Sequence, residues 1–178
     1  MWYKYLITGL FFYFFSLLQN SFFSHLNLWG AVPNLVFIFF VLLTFFAQKR
    51  DYYFIIFCAL VAGLLLDIFS SSYIGISVLL LIVIGFGIKK IQADLFEGGQ
   101  KPVPFYFLGL FFIAFIVYNL FIYLYYYFLG IKTVFFVFNF MLSCEIIYNL
   151  VFAFLFFLIY KKFCVNAFDN RQLNLFKK

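Results

Sequence analysis

Charge is scarce in this chain: of 178 residues only 10% are Asp, Glu, Lys or Arg, whereas 68% are hydrophobic. Soluble domains carry roughly 25% charged residues, so too little polar sequence remains here to cover a water-soluble core. Lipid is the expected solvent for most side chains. Histidine is reduced to His25, which excludes a His-based metal cluster. The three cysteines, Cys58, Cys144 and Cys164, show no spacing suited to a disulfide framework or a metal motif and read as small hydrophobes. No Ser/His/Asp set can be assembled, and Gly98-Gly99 lacks a phosphate-cradling pattern around it. Neither an enzyme nor a cofactor is therefore expected. No polar or Pro/Gly-rich linker divides the chain, so residues 1–178 read as one membrane domain. Phe, at 34 residues, and Tyr, at 14, are abundant instead. Since Ile, Asn and Lys are also frequent, this reads as compositional drift rather than an aromatic binding surface.

Apolar runs place six membrane-spanning helices near residues 3–20, 31–47, 52–68, 73–89, 105–129 and 133–160. About 20 residues cross a hydrocarbon core of roughly 30 Å. The last two runs exceed that length, and the first four need their flanks or a thinned bilayer. The stretch Tyr52 to Ile88 fits two short spans, or a hairpin that dips in and returns around Ser70-Ser71-Ser72. Lys4 and the run behind it resemble a signal peptide, but no small-x-small cleavage site follows, so a retained first span is expected.

Basic residues set the orientation. Of the twelve, only Lys132 falls outside if the six runs alternate across the membrane; Lys4, Lys49, Arg50, Lys89, Lys90 and the rest share the other face. The positive-inside rule then gives N-in and C-in. The net charge of +6 follows from topology and anionic lipid and points to no nucleic acid. The tail 161–178, basic with Phe163, Phe168 and Phe176 interspersed, reads as an interfacial segment or a docking site for a cytoplasmic partner.

A few polar residues stand inside or at the ends of these runs. Glu145 lies near mid-span in the last helix, where a carboxylate is costly. Asn149 is one turn further on, and Asn119 of the fifth span lies at similar depth. An Asn119–Glu145 hydrogen bond is expected, and Glu145 reads as interhelical glue or as a proton or ligand site. Asp67 ends the third span, where a carboxylate opposes the helix dipole. Its expected partners are backbone N–H groups opening the next helix, or a group on a neighbour. Asp67 thus reads as a turn element or a partner contact. Gly63 and Gly75 suit close helix approach. Pro33 and Asn34 begin the second span, with Pro33 expected in its first turn. The loop before it, with Gln19, Asn20, His25, Asn27 and Trp29, is expected across the outer end of the bundle.

Gln19, the Pro33-Asn34-Leu35 triplet, Gly63-Leu64-x-x-Asp67 with Ser70 behind it, Gly75, and Glu145 followed by Asn149 occur in an order and spacing that resemble the MreD family of bacterial rod shape-determining membrane proteins. The similarity runs from about residue 5 to 162. Asn34 stands where that family often has Asp, and the 89–104 connection is long for it. The resemblance implies a non-enzymatic inner-membrane component of the cell-elongation machinery. Its partners would be the bitopic protein MreC, the MreB filament, and RodA with its partner transpeptidase. It also implies a fold similar to the six-helix substrate-binding subunits of energy-coupling-factor vitamin transporters, which supplies a rival function. Against that rival, Gln19, Asn34, Asp67, Asn119 and Glu145 are scattered candidates for a polar cavity, and the first helix carries Thr8-Gly9 without an Ala-x-x-x-Ala face for a transporter scaffold. An ion channel or exchanger would require more polar lining than these residues give.

Overall fold

A computed structural model describes residues 2–25, 31–48, 51–70, 73–95, 104–130 and 134–162; for Leu95 and residues 134–143 the description covers the backbone alone. The tail beyond Lys162, Lys49, Arg50, Lys101, Lys132, Asn27, Trp29 and the Ser71-Ser72 pair lie outside the described residues. Among the described residues six α-helices follow one another: α1 (Tyr3–Leu18), α2 (Leu35–Phe46), α3 (Tyr52–Phe69), α4 (Ile76–Leu95), α5 (Pro104–Phe128) and α6 (Val134–Tyr160). A π-helical turn, Gln19–Phe23, continues α1.

Among the described residues, four helical stretches are long and apolar enough to cross a membrane: Tyr3–Phe23, Tyr52–Phe69, Ile76–Asp94 and Pro104–Phe128. The α6 backbone runs 27 residues, of which Cys144–Tyr160 forms a shorter apolar stretch with described side chains. α2 has only 12 residues, about 18 Å at 1.5 Å per residue. Its burial explains how so short a helix is used. Leu35 to Ile38 and Phe40 to Phe45 are all buried, as befits a helix apolar on every side. α2 is the axis of the bundle and touches each of the other five helices.

Two boundaries differ from the sequence expectation. α2 starts at Leu35 because Asn34, not Pro33, is the cap; Pro33 stays outside the helix. α4 starts at Ile76 and runs on to Leu95, so Lys89 and Lys90 belong to a helix rather than to the connecting loop. Gly75 sits in the turn before α4 with φ +111°, a conformation that favours glycine. It serves the turn rather than helix packing. Gly63 does what was expected of it: a Cβ there would stand 2.5 Å from Val78 Cα, so α3 and α4 approach backbone to backbone.

Aromatic rings fill the space around α2. Phe37 meets Phe111, Phe115 and Tyr118 with centroids 5.8, 5.7 and 5.1 Å apart. Phe107 stacks on Phe157 at 5.0 Å, with Phe45 edge-on at 5.2 Å from Phe107. Such offset and edge contacts add about 0.5–1.5 kcal/mol each beyond burial. α1 contributes one narrow stripe, Thr8, Phe12 and Ser16, spaced i, i+4, i+8. Leu6, Ile7, Leu10, Phe11 and Phe14 of the same helix stay exposed, facing the apolar surroundings.

Candidate functional site

The polar residues collect at the two ends of α2 and at the α3–α4 turn. Asp67 is 1% exposed in the last turn of α3. Its carboxylate leaves the unfavourable end of that helix and accepts from the opening of α4: Gly75 N–H at 2.6 Å and Ser77 N–H at 3.2 Å. The first N–H groups of a helix have no partner within it, and their partial positive charge offsets the carboxylate. The Ser77 hydroxyl pairs in turn with the Tyr118 hydroxyl at 2.9 Å, tying α4 to α5. Asp67 thus finds the backbone partners expected of it.

At the same end, Leu35 N–H donates to Pro33 O at 3.1 Å, and Asn34 lies between them with φ −86°, ψ 79°, the geometry of an inverse γ-turn. Asn34 Oδ1 accepts from Phe37 N–H at 3.0 Å as a true N-cap. Its own N–H donates to Asn149 Oδ1 at 2.7 Å, while Asn149 Nδ2 donates to the Glu145 carbonyl oxygen at 2.8 Å. Gln19 Oε1 takes Val36 N–H at 3.4 Å. Side chains from the first and last helices therefore complete the N-terminus of α2.

Between these groups opens a pocket of about 290 Å³, bordered by Ser16, Gln19, Asn20, Asn34, Ser70 and Tyr118. Among the described residues no charged side chain lines it. It joins the end of α1 to the start of α2 and the end of α3.

The opposite end of α2 is closed by α4. Lys89, 6% exposed, donates to Ala47 O at 2.7 Å and to Gln92 Oε1 at 3.0 Å. Gln92 Nε2 donates to Phe45 O at 3.0 Å. A cation on the last carbonyls of a helix is favoured by the dipole. Beside it, Lys4 pairs with Asp51 at 2.5 Å and rests 3.7 Å above the Phe54 ring, joining the starts of α1 and α3.

The candidates thus separate. Gln19, Pro33, Asn34, Asp67 and Asn149 gather around one end of the bundle, with Gly63 one turn below Asp67 at the α3–α4 contact. Asn119 and Glu145 stand apart from this set. The expected Asn119–Glu145 bond does not form: Asn119 Nδ2 donates to Phe115 O of its own helix at 2.9 Å, and the Glu145 side chain is half-buried. Lys89, Gln92 and the Ser77–Tyr118 pair were not singled out by sequence reasoning. A Lys and a Gln three residues apart after an apolar run were the available signal. Among the described residues no cluster of His, Cys, Asp and Glu could hold a metal ion.

This assembly of short polar motifs has a counterpart over nearly the whole chain, since residues 2–164 match the family of rod shape-determining protein MreD. The chain belongs to the MreD family. Comparisons with curated proteins and with solved structures find no match. MreD proteins are shape-determining membrane proteins of the rod-shape system that includes MreC and MreB. With its four long apolar helices, this MreD-family chain is a multi-pass membrane protein. Asn34 and Asp67, two of the residues that carried the resemblance, are the helix caps described above.

Proposed function

We propose that this chain is a non-enzymatic scaffold of the bacterial cell-elongation machinery, crossing the inner membrane six times with both ends in the cytoplasm. It would hold an MreC-like bitopic partner and, through it, the MreB filament, RodA and the partner transpeptidase. One observation carries this reading: Asp67, Asn34, Asn149 and Lys89 are all engaged in closing helix ends, so these polar groups serve the bundle rather than a reaction centre. The exposed apolar flank of α1 supports helix-to-helix docking within the bilayer, where close van der Waals packing drives association.

Depletion in a rod-shaped host is expected to give rounded cells, and a detergent pull-down to bring an MreC-like protein. The pocket near Gln19 and Asn34 favours one rival, the substrate-binding subunit of an energy-coupling-factor vitamin transporter. Cells that keep their rod shape but lose uptake of one vitamin would overturn the scaffold in favour of that rival.

A further inference from the structure

The pocket at the N-terminal end of α2 has hydrogen-bonding groups that the bundle does not use. Ser16 is 1% exposed and borders it, yet among the described residues its hydroxyl meets no hydrogen-bond partner. A helical serine usually returns its hydroxyl to a carbonyl one turn back; among the described residues the enclosed side-chain oxygen without a partner is that of Thr44, so the Ser16 hydroxyl is open to the pocket it borders. Gln19 commits Oε1 to Val36 N–H, which leaves its amide N–H₂ without a partner among the described residues. Asn20 shows the converse: Nδ2 donates to Ser16 O at 2.8 Å, and Oδ1 has no partner among them.

Ser16 lies one turn before Gln19 and Asn20 on one helical segment, and the three offer donors and an acceptor together. The α2 N–H groups nearby are taken by Gln19 and Asn34 and are not available to an anion. The Asp67 carboxylate is turned toward Gly75 and Ser77 and does not border the pocket, so no counter-charge awaits a cation. At about 290 Å³, the space is at the lower end of the roughly 300–1,000 Å³ usual for small-molecule sites.

We propose that this pocket binds a small uncharged polyol of monosaccharide size, held by Ser16, Gln19 and Asn20. The inference is independent of the scaffold reading, because it concerns a ligand and not a partner helix.

The test uses the whole chain in lipid nanodiscs, with Cys58, Cys144 and Cys164 replaced by Ala and Ser24→Cys introduced at the pocket border, outside the three holding residues. The rate at which a small thiol reagent labels this cysteine is measured with glucose, glucosamine or glucuronate, which are neutral, cationic and anionic probes of one size. Glucose is expected to slow labelling saturably, and the two charged sugars to leave it unchanged. Gln19→Leu should weaken the glucose protection by about tenfold, the scale of leaving a ligand hydroxyl unpaired. Phe69→Cys, also on the pocket border, gives the same readout if Ser24→Cys does not accumulate. Three results overturn the proposal: no protection by glucose, equal protection by all three sugars, or protection that appears only when another membrane protein is bound. Rounded cells on depletion would bear on the scaffold and leave this result unaffected.

Discussion

Replacing Asp67 by Ala removes both acceptors at the start of α4 and leaves Gly75 N–H and Ser77 N–H facing the former carboxylate site. The carboxylate is 1% exposed, so water cannot readily take its place. Loss of a helix cap costs about 1–2 kcal/mol, and each hydrogen bond to a charged group contributes about 1.5–3 kcal/mol. The two are not additive, because both N–H groups share one acceptor group. A loss of ~2–4 kcal/mol is expected for Asp67→Ala. Asp67→Asn retains one amide oxygen but sets an N–H₂ group against a second backbone donor, so about half that loss should remain. The measurement is helicity by circular dichroism of the purified chain in mixed micelles as the SDS fraction rises. The transition should move to lower SDS in the order wild type, Asn, Ala. Were Asp67→Ala to unfold within about 0.5 kcal/mol of wild type, the capping role would be refuted. If that same variant also failed to restore cell shape, Asp67 would be a partner contact instead.

Gly63→Ala should cost about 1–3 kcal/mol in the same assay, since the new methyl meets Val78 Cα at 2.5 Å and backbone must shift. Asn149→Leu strips the half-buried Asn34 N–H of its acceptor and is expected to destabilise by about 1–3 kcal/mol; an unchanged transition would show that water replaces the amide. Lys89→Met leaves the Ala47 carbonyl unpaired and should lower stability by a similar ~1–3 kcal/mol, read from the same transition. Asn119→Leu loses only a bond to its own helix and should stay within about 1 kcal/mol of wild type. A larger change would place Asn119 in an interhelical role.

The helices were legible because apolar runs and turn residues alternate sharply along the chain. Their ends were less so. Asp67 could be assigned to the following helix from the dipole argument alone, since a buried carboxylate at a helix C-terminus requires another partner. Pro33 fits a first turn by its fixed φ, yet the side chain of Asn34 caps better and displaces it by one position. The Asn119–Glu145 pairing rested on depth, which does not fix rotation about the helix axis. Asn119 instead turns back to its own backbone. Lys89 looked like a loop residue because charge usually ends a span. A long side chain reaching the Ala47 carbonyl at the end of a neighbouring helix, with Gln92 beside it reaching Phe45 O, is invisible to hydropathy. The split of the candidates into one cluster and two outliers also depended on packing, because Asn34 and Asn149 are 115 residues apart.

That separation has a consequence for how the chain is made. α2 enters the membrane early, but Asn149, which satisfies the backbone at its start, is synthesised more than a hundred residues later. Lys89 and Gln92, which close its other end, also follow after α3. Until then a short helix must keep several backbone groups in contact with headgroups or water. Its final depth is therefore set by later neighbours, and a ribosome stalled before α6 leaves the central helix of the bundle unfinished at one end.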